Sequence, residues 1–120
     1  MIDFRTLRVW ESFHEIVLRV YVLTKNFPTS EAYGLTSQIR RASVSIAANI
    51  AEGCGRSSDA ELNRFLIIAM GSASELEYEL LLAKDLSYIS QADYEQIQED
   101  IIIAKKMLNN FIKKIKSRTG

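Results

Sequence analysis

Apolar positions recur at steps of three and four along nearly the whole chain, and no stretch alternates with the period of two that a strand needs. Four segments carry the helical period. The first is predicted over about residues 4–25. Leu7, Trp10, His14, Val17, Tyr21 and Thr24 form one stripe on it, and Val9, Phe13, Ile16, Val20, Leu23 and Phe27 form a second. That apolar arc is wider than a helix packed on a single core requires. Pro28 disfavours helical geometry at Phe27 and ends the segment. Thr29 or Ser30 is expected to cap a short turn through Tyr33, which Gly34 breaks.

The second helix is predicted over 35–52, with Leu35, Ile39, Ala42, Ile46 and Ile50 as its apolar row. Gln38, Arg41, Ser45, Asn49 and Glu52 follow at steps of three and four, so they share a polar seam beside that row. Buried amides and carboxylates need partners. Asn49 is therefore expected to join a hydrogen-bonded network, and Glu75 on the next helix is a candidate partner for Arg41. Gly53 is expected to close the helix at positive φ. The third helix, over 59–86, opens with Ser58 and Glu61 in a capping-box pattern. Its continuous stripe is Leu62, Phe65, Leu66, Ala69, Ala73, Leu76, Leu80 and Ala83. Ser90 with Asp93 caps a fourth helix over 91–116, whose seam is Tyr94, Ile97, Ile101, Ala104, Leu108, Phe111 and Ile115. Ile102, Ile103, Met107 and Ile112 lie outside that seam. The fold class is therefore all-α, an antiparallel up-down four-helix bundle forming one domain of 120 residues. The surplus apolar surface on the first and fourth helices calls for a partner, most simply another copy of the chain. Ile16 and Ile103 are candidates to face it.

Charge changes the picture. Net charge is zero, but residues 1–58 hold seven Lys/Arg against five Asp/Glu, residues 59–100 two against ten, and residues 101–120 six against none. The closing stretch KKMLNNFIKKIKSRTG is a basic tail suited to an acidic partner. The plainer reading is lysines that favour the dipole at a helix C-terminus. Candidate RNA contacts are Arg40 beside the polar seam, Arg56 in the loop after it, and Lys105, Lys106, Lys113, Lys114, Lys116 and Arg118 on the tail.

Candidate chemistry is scarce. The single cysteine, Cys54, forms no internal disulfide and suits a reducing cytoplasm. The single histidine, His14, cannot supply the Glu-x-x-His repeats of a di-metal bundle. The Glu-Gly-Cys-Gly-Arg loop lacks the spacing and the preceding strand of a phosphate-binding loop. A helix-turn-helix over Ser45–Leu66 fails because Glu61 and Arg56 fall where such motifs are apolar or small, and because the flanking helices are long. Arg19, Lys84 and Lys105 break the longest apolar runs, so no membrane span is expected, and the charged N-terminus has no apolar signal core. No catalytic residue, cofactor or metal is expected, and the protein is read as no enzyme.

The segment FPTSEAYGLTSQIRRASVSIAANIAEGCGR resembles the signature of the small four-helix-bundle proteins encoded in intervening sequences of bacterial 23S ribosomal RNA genes. FLIIAMGSASELEYELLLAKDLSYI resembles the same family downstream, so the likeness covers about residues 4–90. Gln38, Arg40, Arg41, Ser45, Asn49, Glu52 and Gly53, then Gly71, Ser72 and Glu75, match its motif. Ala47 departs from it, since many members have proline there. The resemblance implies a four-helix bundle assembled as a ring-like homopentamer. The fold is also similar to that of accessory proteins of diversity-generating retroelements, which bind nucleic acid and a reverse transcriptase through basic surfaces. The implied function is a non-enzymatic adaptor for RNA or an RNA-bound protein. The alternative is a protein-interaction scaffold that binds no nucleic acid.

Overall fold

A computed structural model describes residues 1–119. It contains helices α1 (Arg8–Thr24), α2 (Leu35–Cys54), α3 (Asp59–Asp85) and α4 (Gln91–Thr119), with short 3-10 turns at Phe4–Thr6 and Thr29–Glu31. Among the described residues there is no strand. Consecutive helices pack against each other and α4 returns to α1, so the four form a closed antiparallel bundle 46 Å long. The α2–α3 interface is the most extensive and the α1–α4 interface the least.

The helix ends follow local chemistry. Asp3 caps the first 3-10 turn by accepting from the Arg5 N–H at 3.1 Å. Leu7 is then extended, so α1 starts at Arg8, four residues later than the apolar period alone predicts. Ser58 Oγ accepts from the Glu61 N–H at 3.2 Å, and Ser90 Oγ from the Asp93 N–H at 3.1 Å, which satisfies one free amide at the start of each helix. Glu61 turns its own carboxylate to Arg64 at 3.1 Å, so the box at Ser58 is one-sided. At the start of α2, Glu31 Oε1 accepts from the Leu35 N–H while Glu31 Oε2 accepts from the Tyr88 hydroxyl at 2.9 Å. One carboxylate thus caps α2 and ties the α1–α2 loop to the α3–α4 loop.

The core is the set of rows read from the period. Val9, Phe13, Ile16 and Val20 from α1 meet Ile39, Ile46 and Ile50 from α2, Leu66, Leu76 and Leu80 from α3, and Ile97, Ile101, Leu108 and Ile115 from α4, all buried. Ile16 therefore belongs to this core, and the expectation that it faces a neighbouring subunit is corrected. Ile103, in contrast, is 52% exposed.

Gly53 also differs from expectation. Its φ is not positive, and it lies within α2, which runs on to Cys54. A Cβ there would stand 3.0 Å from Phe65 Cβ and 3.1 Å from the Leu62 carbonyl oxygen, so glycine permits the close approach of α2 to α3. Farther along the same seam, the Ser45 and Ser72 hydroxyls are hydrogen-bonded at 3.0 Å, and Asn49 Nδ2 donates to Ser45 O and Ser45 Oγ. Among the described residues, the one non-glycine residue at positive φ is Ser87, at 65°. It ends α3 in a Schellman motif: the Ser87 N–H bonds the Lys84 carbonyl and the Tyr88 N–H bonds that of Ala83, both at 2.9 Å.

Two stability changes follow. Asn49→Leu removes the amide but leaves Ser45 bonded to Ser72, so the loss should be about 0.5–1.5 kcal/mol in urea unfolding. Ser87→Gly relieves the left-handed backbone of a residue with a Cβ and should raise stability by about 1 kcal/mol. An unchanged or lowered midpoint for Ser87→Gly would contradict that account of the α3 terminus.

Candidate nucleic-acid interface

The basic residues expected to meet a ligand fall into two groups once their neighbours are known. Arg40 is half-buried: its Nε donates to Thr24 Oγ1 at 2.8 Å and its guanidinium stands 4.6 Å over the Tyr21 ring. It clamps α1 to α2 and is not free to face a ligand, as the sequence reading had it. Arg56 pairs with Glu52 at 2.9 Å and stacks 4.7 Å over Phe65. Lys105 is half-buried between Ser74 and Glu77 and bridges α4 to α3. Arg118 pairs with Asp59 at 3.2 Å and fastens the end of α4 to the start of α3. These four cations are engaged within the bundle.

Lys106, Lys113 and Lys114 are exposed and form no ion pair among the described residues, and Lys116 is also exposed. They sit in the last part of α4 because the seam Leu108, Phe111 and Ile115 turns inward, leaving the intervening positions to solvent. The same end of the bundle holds further arginines, outside the candidate contacts expected from the sequence. Arg8 opens α1 and is exposed. Arg5 pairs with Asp3, and Arg64 pairs with Glu61 while stacking 4.8 Å over the Phe65 ring that Arg56 also contacts. The signal for these was present as charge, but only folding brings residues 5–8, 56–64 and 106–118 to one end.

The bundle is consequently polarised. Contacts of Ser45 with Ser72, Ser12 with Met107 and Lys105 with Ser74 mark the middle of the helices. Toward the α2–α3 loop, residues 1–15, 45–72 and 105–119 carry ten Lys/Arg against six Asp/Glu. Toward the other end, residues 16–44 and 73–104 carry five against nine. The chain's zero net charge thus conceals +4 at one end and −4 at the other.

The proposed polar seam divides in the same way. Ser45 and Asn49 lie between α2 and α3, bonded as described. Gln38, Arg41, Glu52 and Glu75 are exposed. Arg41 and Glu75 form no ion pair with each other among the described residues, and Glu52 turns to Arg56. The seam residue the pattern missed is Glu79, a buried carboxyl on α3.

Chemistry for catalysis is thin in this arrangement. Burial, with Asp3 nearby, pushes the Cys54 thiol up, which disfavours the thiolate. Among the described residues, no group of three or more His, Cys, Asp or Glu is gathered to hold a metal ion. The groove between α1 and α4, about 320 Å³, is open and lined by Ser12, Glu15, Arg19, Asp100 and Ile103, among others. No helix is long and apolar enough to cross a membrane among the described residues.

Three apolar strips remain outside the core. Leu18 and Val22 on α1 and Ile102 and Ile103 on α4 are exposed. A third strip, not read from the period, lies on α3, where Ile67 is 57% and Tyr78 62% exposed beside Ile68.

Comparison with known proteins places this architecture. The chain is similar to the crystal structure of a protein of unknown function from the S23 ribosomal protein family of Bacteroides thetaiotaomicron VPI-5482. The two share 31% sequence identity with a TM-score of 0.82, over 93% of this chain and 99% of that one. No curated protein matches the chain. A family model described as 23S rRNA-intervening sequence protein matches residues 5–110. The match takes in the α2 seam, the α2–α3 loop and most of α4, and the chain belongs to the 23S rRNA-intervening sequence protein family.

Proposed function

We propose that this protein is a non-enzymatic, oligomeric helical bundle that binds RNA, or an RNA-bound protein, through the end of the bundle holding the α2–α3 loop and the α4 C-terminus. The observation that carries this reading is the concentration of exposed Lys106, Lys113 and Lys114 at one end of the bundle, whose formal charge of +4 they largely supply. A cationic surface of this kind attracts polyanions mainly by counterion release and without sequence preference. The engaged arginines, Arg56, Arg64 and Arg118, shape that end and keep part of their guanidinium surface in solvent. A raised thiol pKa at Cys54 supports a binding role over catalysis. A free, buried Cys54 fits a reducing cytoplasm.

Self-association follows from the apolar strips. Exposed Ile67, Ile68 and Tyr78 on α3, with Leu18 and Val22 on α1 and Ile103 on α4, give surfaces on different sides of the bundle. Two different patches that meet head to tail close into a ring, and five subunits is the number the family resemblance implies. The same strips favour a second reading, in which the oligomer recruits a protein and no nucleic acid.

Replacing Lys106, Lys113 and Lys114 together with Gln should weaken binding to single-stranded RNA of every sequence. The slope of log affinity against log salt should flatten by about 0.7 per lost phosphate contact. The melting temperature should stay unchanged, because these side chains lie outside the core. Lys105→Gln should instead lower stability slightly, by at most about 1 kcal/mol, by removing the bridge to Glu77. If the wild-type protein shows no salt-dependent RNA binding at low ionic strength, the scaffold reading replaces the adaptor.

Assembly has its own test. By light scattering, Ile103→Glu or Ile67→Glu should lower the mass of the oligomer while leaving the helical content intact. Ile16→Glu should unfold the subunit, since it buries an unpaired charge. A folded wild-type monomer at micromolar concentration would refute self-association.

A further inference from the structure

Glu79 is the one charged residue buried in the bundle among the described residues, at 6% exposure. Its Oε1 has no hydrogen-bond partner, and among the described residues no ion pair reaches the side chain. The antiparallel register of α2 and α3 is fixed by the Ser45–Ser72 bond and by the contact of Gly53 with Leu62 and Phe65. Continued along both helices, it sets Glu79 level with Thr36–Gln38, the first turn of α2. Thr36 Oγ1 is likewise buried without a partner. Two polar groups without partners therefore share one level of an interface that is otherwise closed by small and apolar side chains.

We infer that Glu79 is a proton-operated lock on the α2–α3 seam: as the neutral acid it lets this level close, and on ionising it loosens the start of α2 from α3.

The surroundings offer the carboxylate no compensation. On its own helix, Glu75 lies one turn away and is acidic, while Glu77 is held by Lys105 and Lys84 pairs with Asp85. On α2, Thr36–Gln38 carry no charge. Arg40 is held by Thr24 and Tyr21, and Arg41 is exposed and pairs with no carboxylate among the described residues. The free amides at the start of α2 would favour an anion, but Glu31 already brings a carboxylate there, 3.2 Å from the Leu35 N–H. On α4, at the level reached from the Lys105–Glu77 pair, the charged residue is Asp100, also acidic. α1 lies diagonally across the bundle from α3 without close backbone approach among the described residues; of its cations toward this end, Arg19 lines the α1–α4 groove and Lys25 is exposed.

Burial first, and the Glu75 charge second, push the Glu79 carboxyl from 4.5 to about 7. The sign follows from linkage. Between these values the folded state holds a proton that the unfolded state has released, so stability is complete below the ordinary value. It falls as pH rises and is lost above about 7. The lock is half open near neutrality.

Carboxyl NMR of the full-length wild-type protein, labelled at Glu, tests this directly. One glutamate should titrate near neutrality and disappear in Glu79→Gln. Urea unfolding at fixed protein concentration should show the wild-type unfolding constant rising by up to about tenfold per pH unit between the two values. Glu79→Gln should be flat across that range. Protection factors in the first two turns of α2, taken relative to the intrinsic exchange rate at each pH, should fall above neutral pH in the wild type only. A Glu79 resonance titrating in the ordinary carboxylate range, or a Glu79→Gln variant that keeps the wild-type pH slope, would overturn the lock. Should Glu79→Gln fail to fold, the wild-type titration together with Glu75→Gln decides: removing the neighbouring charge should move the titration to lower pH, and an unmoved midpoint outside the neutral range refutes the proposal.

Discussion

Gly53 has no Cβ to hold α2 away from α3, and the neighbouring helix occupies the space that a side chain would need. The backbone of α2 comes close enough there that Leu62 and Phe65 pack against it directly. Small residues continue that approach along both helices, with Ala42 and Ala47 on one side and Ala69, Ala73 and Ala83 on the other, all buried. Ser45 and Ser72 meet at its centre. Helices this close exchange many weak dispersion contacts and leave no room for a mismatched side chain. The pair α2–α3 is the most extensively packed part of the bundle, against which α1 and α4 lay their larger apolar rows. It also explains why a polar seam can run beside the core: the residues are short, and Ser45, Asn49 and Ser72 find their partners within the seam.

The same geometry determines where charge can appear. Burying the α4 row of Ile97, Ile101, Leu108 and Ile115 rotates the lysines of the tail outward, and the antiparallel order brings them beside the α2–α3 loop. Several cations that look equally available along the chain are then used up by the fold. Lys105 spans α3 and α4, Arg118 fastens the α4 terminus to Asp59, and Arg40 joins α1 to α2. Such ion pairs and stacks at the surface contribute little to stability singly. Their consequence is geometric: they fix which cations the bundle itself takes up and at which end the others gather.

The acidic end has the opposite character. Glu75, Glu79, Asp85, Asp93, Glu95, Glu99 and Asp100 gather there with few cations, and one of them, Glu79, is carried inside. A carboxyl in that position is tolerated as the neutral acid and poorly as the anion, since a buried unpaired charge costs far more than a buried hydroxyl. The two ends of one small bundle thus combine a solvated cationic surface with a buried acid, from a chain whose net charge is zero.

The sequence by itself determined the helices and which face of each is buried. The rows Leu35–Ile50 on α2, Leu62–Ala83 on α3 and Tyr94–Ile115 on α4 are buried as their spacing requires, because the step of three and four is a property of the backbone and needs no knowledge of the partner helix. Caps at Ser58 and Ser90 were legible for the same reason, being bonds between residues three apart. The family was legible in the motif around α2. Tertiary structure decided what depends on neighbours distant in sequence. Gly53 reads as a helix stop when only its own segment is considered, and becomes a contact point once α3 stands 3 Å from where its Cβ would be. Ile16 reads as surplus until α4 covers it. Arg40 and Lys105 read as free cations until Thr24 and Glu77 take them up. Glu79 reads as one acid among three on a polar stretch, yet it is the one turned into the α2–α3 seam. Spacing along a helix fixes the direction of a side chain, whereas its partner and its dielectric surroundings belong to whatever helix happens to face it.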